Sequence, residues 1–518
     1  MPKIAEKRKL AAGVFELRVE APLIAAERSP APTAGDILAV IEKEKPLRPK
    51  DRLHIPLQEM PSQDPIERRN NMEEVALGYS PEQARVEAER CLQCANKPCI
   101  AGCPVGIDIP RFLASAAEGD FADALSVIRE NSLLPSICGR VCPQEVQCQA
   151  FCTVGKAMKD PMKAVSIGRV ERFVADWERD NGEGSVPPIK AETGKKVAVI
   201  GSGPAGITAA ADLRKAGYRV TVFEAFHKPG GVLIYGIPEF RLPKRIVEDE
   251  VRTLEEMGVE VRTNFLVGRT RRLQDLLKKD GYDAVFIGSG AGLPKFMNIP
   301  GENLAGVLSA NEYLTRSNLM KAYDRDRAQT PILASQRVAV LGGGNVAMDA
   351  ARTAVRLGAQ EVSIIYRRTE EEMPARREEV EHAKEEGVIF RNLRNPKRIL
   401  GNEAGHVRAL ELLECELGEP DDSGRRRPIA IEGSEHELEV DALVVSIGND
   451  SNPLLTQTAG ELETNRWGNI LTDENGQTSM DRVYAGGDIV LGAATVILAM
   501  GEGRKAAAAI NARLAGEA

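Results

Sequence analysis

The chain contains no uninterrupted apolar stretch near 18 residues, which removes a membrane-spanning helix from its expected architecture. Its opening residues, MPKIAEKRKL, are basic but carry no apolar segment of the kind that directs secretion, so a cytoplasmic protein is expected. An excess of positive charge is also missing. With 68 Lys and Arg against 76 Asp and Glu, the net charge of −8 argues against nucleic-acid or anionic-membrane partners. Histidine is scarce, five residues scattered along the chain, and none is placed to act as a general acid or base. Cysteine is nearly absent outside one window: eight of the nine lie between Cys91 and Cys152, with only Cys415 elsewhere. Such clustering in a cytoplasmic chain points to metal ligation over disulfides.

The most informative stretch runs from Val197 to Glu224, VAVIGSGPAGITAAADLRKAGYRVTVFE. An apolar strand runs into a glycine turn, a small-residue helix and a second strand that closes on an acid, the order of a dinucleotide-binding βαβ unit. Gly201 permits the tight turn, Gly203 lets backbone amides approach a pyrophosphate, and Gly206 lets the helix pack closely. Pro204 and Ala205 open that helix, whose unpaired N–H groups face the phosphates. Glu224 is placed to accept hydrogen bonds from a ribose. The paired Gly230 and Gly231, followed by YGIPEFRLPK, read as a loop covering a cofactor; an ordinary surface turn is the alternative. Asp283 to Gly290 reads as another buried strand ending in a glycine turn.

The same order recurs further on, an internal duplication that implies two dinucleotide sites. Val338 to Leu341 leads into Gly342, Gly344, Asn345, Val346 and Ala347, and the second strand ends at Arg367 and Arg368 where the first unit has its acid. Guanidinium groups there pair with a ribose 2′-phosphate, which favours NADPH over NADH, unless the two arginines are a solvated surface pair. The highly charged stretch EEEMPARREEVEHAKEEG reads as a helix with a solvated face, stopped at Gly387. From about Phe390 to Val440 a strand-rich flap is expected, with a polar hairpin near Glu419 to Arg427, and Ala442 to Gly448 as a buried strand. The last signal is Val483 to Ala485, then Gly487 and Asp488, then a helix from Ala493 onward. That order sets a carboxylate beside a ribityl chain and a helix N-terminus towards a flavin ring. The first dinucleotide domain is thus discontinuous, interrupted by the second.

The cysteine window reads Cys91-x2-Cys94-x4-Cys99-x3-Cys103-Pro, then two amphipathic helices separated by Gly119 and Asp120, then Cys138, Cys142-Pro143, Cys148 and Cys152. Helices are expected over Pro65 to Ala76, Pro81 to Glu89 and Ser166 to Asp176, and Asn181 to Gly194 is the clearest linker. Two groups of four thiolates suggest two [4Fe–4S] clusters. Structural zinc and free buried thiols are the alternatives, and zinc offers no electron route. Residues 1 to about 60 are rich in Pro and charge; within them Val14 to Glu20 alternates like a strand.

Taken together, the two cysteine groups, GSGPAG, the inserted GGGNVAMDAA followed by RR, and the terminal AGGD resemble the small subunit of NADPH-dependent glutamate synthase, over roughly Gln63 to the C-terminus. CLQC, CGRVCPQE and IGRVERFVAD look most like the homotetrameric-type members. The group also includes the large subunit of the electron-bifurcating NADH-dependent ferredoxin:NADP oxidoreductase. The iron–sulfur and flavin segment is similar to the N-terminal half of dihydropyrimidine dehydrogenase. The resemblance implies an α/β protein with two Rossmann-like dinucleotide-binding domains, one inserted in the other, preceded by an α-helical iron–sulfur domain. The expected boundaries are 1–62 for an extension without assigned function, 63–185 for the iron–sulfur domain, 195–325 with 450–518 for the FAD domain, and 326–449 for the NADPH domain. It implies FAD, NADPH and two [4Fe–4S] clusters. One cluster would sit on Cys91, Cys94, Cys99 and Cys152, the other on Cys103, Cys142, Cys148 and the carboxylate of Glu171, leaving Cys138 without iron. Spacing alone is compatible with this crossed grouping and with the sequential one. The implied partners are a glutamate synthase large subunit or a small flavoprotein subunit, with ferredoxin as a further partner, in an oligomer. Nothing here resembles a glutaminase nucleophile or an FMN barrel, so glutamine chemistry would need a partner chain. A scaffold with degenerate sites is disfavoured by the intact glycines, Glu224, the Arg pair and Asp488.

Overall fold

In the computed structural model the described residues are 32–182, 186–332, 335–421 and 424–516, together with the backbone of 4–9 and 15–19. Residues 1–48 form one unit and 49–518 another. The first holds an antiparallel pair, Ile4–Lys9 with Phe15–Val19, and the helix Ala34–Glu44, whose N-terminus is closed by a Thr33–Asp36 capping box. The strand expected around Val14 to Glu20 is thus present over Phe15–Val19, while Val14 and Glu20 themselves lie outside the described residues.

In the second unit, helices come first. Ser80 and Gln83 cap each other at the start of Pro81–Glu89. Ile109–Glu118 ends on Gly119, held at φ 84°, and Asp120 immediately caps Phe121–Asn131. This hairpin buries Phe112, Leu113, Leu125 and Ile128 against Ile167–Asn181, where Phe121 meets Phe173 edge-on at 4.8 Å. The last helix runs five residues beyond its expected end, Asp176. The expected helix over Pro65 to Ala76 is present only as Pro65–Arg68. Asn70 and Asn71 turn their carboxamides back onto the carbonyls of Ile66 and Glu67, an alternative to the helical ladder that ends the helix early. The chain then leaves to donate from Val75 N–H to the Phe240 carbonyl.

Two parallel five-stranded sheets follow. The first is ordered Val483–Ala485, Ala284–Ile287, Lys196–Ile200, Arg219–Phe223, Glu260–Arg262. Its edge strand comes from near the C-terminus, which makes the first dinucleotide fold discontinuous. The second is ordered Ile389–Asn392, Glu361–Tyr366, Arg337–Leu341, Ala442–Val445, Val307–Ser309. Their central strands are buried throughout, which is why they read as unbroken β-branched runs. Leu293–Pro294 and Asn449–Asp450 pair antiparallel where the chain passes from one fold to the other and back. The expected strand-rich flap is an antiparallel sheet built on Val407–Pro420.

The charged stretch after the second sheet departs from expectation. Pro374 delays the helix to Arg377–Glu385, and its charge is not simply solvated. Glu379 and Glu386 are buried, Glu386 between Arg68, Arg352 and Arg356, Glu379 against Arg241 and Arg352. The arginines come from three separate segments, so no local pattern marks the burial.

Candidate functional site

The first fingerprint is a bare backbone surface. Gly201 sits at φ 95°, and a Cβ there would lie 2.5 Å from the Gly288 carbonyl. A Cβ on Gly206 would stand 1.9 Å from the Gly201 carbonyl oxygen, so the helix Pro204–Lys215 packs as closely as glycine alone allows. Gly203, by contrast, has nothing within 4 Å of where its Cβ would be. No side chain caps the helix N-terminus there, so its N–H groups are available to an anion. A pyrophosphate fits this cradle. Gly231, at φ 55°, closes on it: its Cβ would meet Gly203 Cα at 2.8 Å. Gly487 packs the C-terminal segment on the same helix, its Cβ position 2.9 Å from Ala205 Cβ.

Glu224 is buried, accepting from the N–H groups of Ser202 at 3.0 Å and Phe226 at 2.8 Å, and from the Ser202 hydroxyl. Ser202 in turn accepts from Gly230 N–H at 2.9 Å, which ties the glycine turn to the covering loop. That serine was not singled out by sequence reasoning; its position inside GSGPAG was the available signal. Tyr235 is another such residue. Burial, then the charges of Asp488 and Glu224, push its hydroxyl up to about 12, so this phenol stands near both acids, one from the C-terminal segment and one from the first fingerprint. Burial also raises Asp488 to about 6, although its carboxylate accepts from Ala494 N–H at 3.3 Å. The helix expected from Ala493 begins at Val496, after a short turn over Asp488–Leu491.

The second fingerprint repeats the plan. Cβ atoms on Gly342 and Gly343 would stand 2.2 Å from the Ser446 carbonyl and 2.6 Å from the Tyr366 ring, whereas at Gly344 the nearest atom is 4.0 Å away. The helix Asn345–Arg356 again lacks a side-chain cap; Val346 is exposed and Ala347 buried beneath it. Asn345 Oδ1 accepts from Arg376 N–H at 2.9 Å. The two arginines separate. Arg367 is exposed, and no carboxylate among the described residues pairs with it. Arg368 is buried, donating to the Arg426 carbonyl at 2.6 Å and to Asp421 at 2.7 Å. It holds the hairpin of the antiparallel sheet, while Arg367 stays exposed beside it.

The cysteines group in a crossed pattern. Cys99 is surrounded by Cys91, Cys152 and Cys94, and burial first, then these thiols, push it up to about 12. Cys91 reaches about 11, mainly through burial, with Cys152 and Cys94 again as its neighbours. Cys103 instead faces Glu171, and Cys148 faces Glu171 and Cys103. Cys142 faces Cys138, Glu171 and Cys148. The neighbours run across the two sequence groups, Cys148 lying near Cys99 as well as Cys103, because the helical hairpin folds the second run back across the first. None of the eight is in a disulfide. Among the described residues no three His, Cys, Asp or Glu side chains close on a single metal ion. Glu171 is the telling member. It is buried, its Oε1 has no hydrogen-bond partner, and burial raises its carboxyl to about 8. An orphaned carboxyl oxygen beside the buried Cys142 and Cys148 and the partly buried Cys103 suits an iron ion of a cluster, which would supply the missing partner.

Residues 195–511 match the family described as pyridine nucleotide-disulphide oxidoreductase, and residues 68–183 match dihydropyrimidine dehydrogenase domain II, 4Fe-4S cluster. The chain is 39% identical over 446 residues to the glutamate synthase [NADPH] small chain of Halomonas elongata, covering 85% of this chain and 92% of that one. It is also 39% identical over 438 residues to the NADP(+)-dependent formate dehydrogenase subunit beta of Moorella thermoacetica, covering 80% of this chain and 59% of that one. Among solved structures, Mycobacterium tuberculosis FprA in complex with NADPH shares the fold with a TM-score of 0.52 at 22% identity, over 62% of this chain and 86% of that one.

Proposed function

The chain belongs to the pyridine nucleotide-disulphide oxidoreductase family and is an iron–sulfur flavoprotein oxidoreductase, and from that premise we propose that it is the NADPH-oxidising small subunit of a glutamate synthase. In this reading FAD is held by Gly201, Gly203, Pro204, Ala205, Gly206, Glu224, Gly231, Gly487 and Asp488. NADPH is held by Gly342, Gly344, Asn345, Val346, Ala347 and Arg367. Two [4Fe–4S] clusters are held by Cys91, Cys94, Cys99 and Cys152, and by Cys103, Cys142, Cys148 and Glu171. Residues 63–185 form the iron–sulfur domain, 195–325 with 450–518 the FAD domain, and 326–449 the NADPH domain. When bound, FAD accepts a hydride from NADPH and parts its two electrons for carriers that take one each.

The single observation that carries this reading is a shared core. Cys138 and Cys142 pack with Ala205 of the flavin fingerprint and with Ile497 and Met500 of the C-terminal helix. Gly501 on that helix lies against the backbone beside Cys103, its Cβ position 3.4 Å from the Pro104 carbonyl. Cys91, Cys99 and Cys152 belong to a separate helical core, which also includes Cys148 and has Cys103 packed against it. In this reading the cluster on Cys103, Cys142, Cys148 and Glu171 stands nearer the flavin fingerprint through Cys142, and the one on Cys91, Cys94, Cys99 and Cys152 stands farther from it, the order a relay to a partner subunit requires.

The chain's own residues bind, orient and tune; none is needed as an acid or base. The two uncapped helices receive pyrophosphates, Glu224 receives a ribose, and Arg367 reads the 2′-phosphate. Arg367→Ala should raise KM for NADPH about 10- to 100-fold, the loss of a charge-assisted contact, and leave KM for NADH unchanged. Arg368→Ala should leave the NADPH/NADH preference intact and loosen the hairpin it holds; steady-state kinetics with both nucleotides separates the two roles.

A second reading has a specific observation in its favour. The formate dehydrogenase relative is matched over only 59% of its length, so a similar segment also occurs in a longer chain named for a different activity. On that reading this is the large subunit of an electron-bifurcating ferredoxin:NADP oxidoreductase. No helix among the described residues is long and apolar enough to cross a membrane. The deciding experiment is an anaerobic assay of NADPH oxidation with co-purified partner chains. Glutamate formed from 2-oxoglutarate and glutamine supports the glutamate synthase role. Oxidation that instead requires ferredoxin and NAD+ together contradicts it.

A further inference from the structure

Lys244 is a buried cation that the proposed relay does not use. It opens the helix Lys244–Glu256, where a positive charge opposes the helix dipole, so the helix gains nothing from it. The side chain turns back onto the preceding segment instead. Its Nζ donates to three backbone carbonyls, Leu233 at 3.0 Å, Leu242 at 3.1 Å and Ile237. The three N–H groups of an ammonium thus meet three acceptors. These carbonyls belong to the segment that covers the flavin fingerprint. Within it Val232–Tyr235 is a four-residue helix, too short to occupy its own last carbonyls, of which Leu233 offers one. The remaining ties of the segment lead outwards: Gly230 N–H donates to Ser202, and a Cβ on Gly231 would meet Gly203 Cα at 2.8 Å. Asn318 Nδ2 donates to the Tyr235 and Gly236 carbonyls at 3.2 Å each, and Arg241 pairs with Asp349 of the nucleotide-binding helix at 2.8 Å.

We propose that Lys244 is a positioning residue for the flavin: by tying the Leu233, Ile237 and Leu242 carbonyls together it fixes the covering segment against the first fingerprint and keeps FAD seated. Without the ammonium three carbonyls lose their donor, and the segment relaxes to find other partners. Tyr235, which stands near Glu224 and Asp488, moves with it. The tie also depends on the proton, because a neutral amine has only two N–H groups for the three carbonyls. Burial lowers Lys244 to about 7, with Arg241 acting in the same sense and Glu239 and Asp349 opposing it. Asp488, at about 6, titrates below that range and Tyr235, at about 12, above it.

The inference rests on the FAD reading of the first fingerprint, and the test separates the two. FAD release from anaerobically purified wild type and Lys244→Met holoprotein is followed by flavin fluorescence over a pH series, alongside hydrogen exchange of residues 230–242. Expected for Lys244→Met is release about 10-fold faster, the worth of hydrogen bonds to a charged group, with faster exchange confined to this segment. Above about pH 7 the variant's release should not change with pH, whereas wild-type release should quicken as the ammonium is lost. Release from the variant at the wild-type rate would overturn the proposal. Wild-type release that stays flat as pH rises above about 7 would overturn it too, and that measurement stands even where Lys244→Met fails to fold. Exchange raised throughout the variant would make Lys244 a general support of the fold and likewise overturn it. Wild-type protein that holds no FAD sinks the reading of the fingerprint itself and the inference with it.

Discussion

The double variant Cys99→Ala/Cys103→Ala should lose essentially all of its iron, whereas Cys99→Ala/Cys152→Ala should lose only half. Cys99 and Cys103 are four positions apart and would belong to one cluster if ligands followed chain order. The fold separates them. Cys99 faces Cys91, Cys94 and Cys152, while Cys103 faces Glu171 and lies beside Cys148. A [4Fe–4S] cluster that loses a thiolate is lost or degraded, so the first pair should remove about eight iron atoms and the second about four. Iron and acid-labile sulfide assays on anaerobically purified variants check this. The reverse pattern, half of the iron lost from the first pair and essentially all of it from the second, would restore the sequential grouping.

Glu386→Ala should destabilise the fold by about 3–5 kcal/mol, because it takes the carboxylate partner from the buried Arg356 side chain and leaves Arg68 with Glu385 and Arg352 with Glu379 alone. Glu386 is fully buried and accepts from Arg68 at 2.9 Å, Arg352 at 2.7 Å and Arg356 at 2.6 Å. Arg356 also lies 3.9 Å over the Phe240 ring, and Arg241 next to that ring pairs with Asp349 at 2.8 Å. The carboxylate thus joins the lead-in to the iron–sulfur helices, the nucleotide-binding helix Asn345–Arg356 and the charged helix. The cost should appear as a lower urea midpoint with reduced nucleotide affinity. A midpoint like wild type would show the pairs to be dispensable. The same network sets an acid limit. Burial opposes the charge on Glu379, but Arg241 and Arg352 outweigh it and bring the group down to about 2. On Glu386 burial is likewise outweighed, by Arg352 and Arg356, and the group lies well below the usual carboxylate range. A carboxyl depressed in the folded state contributes stability above its unfolded value, near 4.5, and loses it as pH falls towards the folded value. Wild type should therefore lose stability steeply below about pH 4.5, and Glu386→Gln should flatten that loss.

What the sequence discloses follows from the range of each interaction. The two fingerprints were legible because the reasons for their glycines are local: turn, close packing and open backbone lie within a few residues. The caps at Ser80, Asp120 and Gly119 were legible for the same reason. The division of labour between Arg367 and Arg368 was not, because the partners of Arg368, Asp421 and Arg426, lie more than fifty residues away. The charged stretch looked solvated because Arg68, Arg241 and Arg352 arrive from elsewhere in the chain. The cysteine spacing named the chemistry but could not choose its grouping, which depends on how a helical hairpin closes. Glu171 illustrates the limit: within IGRVERF its residue type and spacing are those of any helical acid, the family resemblance alone singles it out, and the fold adds its burial beside Cys103 and Cys148 without a partner for Oε1.

The central claim is a relay from NADPH through a flavin to two iron–sulfur clusters within one chain. Its most direct measurement is an anaerobic titration of purified holoprotein with NADPH, followed by absorbance and EPR, on samples assayed for iron, zinc and flavin. The expected result is about eight iron atoms and one FAD per chain, flavin bleaching, and a reduced [4Fe–4S] signal that NADPH produces without any added protein. Zinc in place of iron, or a flavin that NADPH bleaches while the clusters stay oxidised with every acceptor absent and every potential accessible, would contradict it.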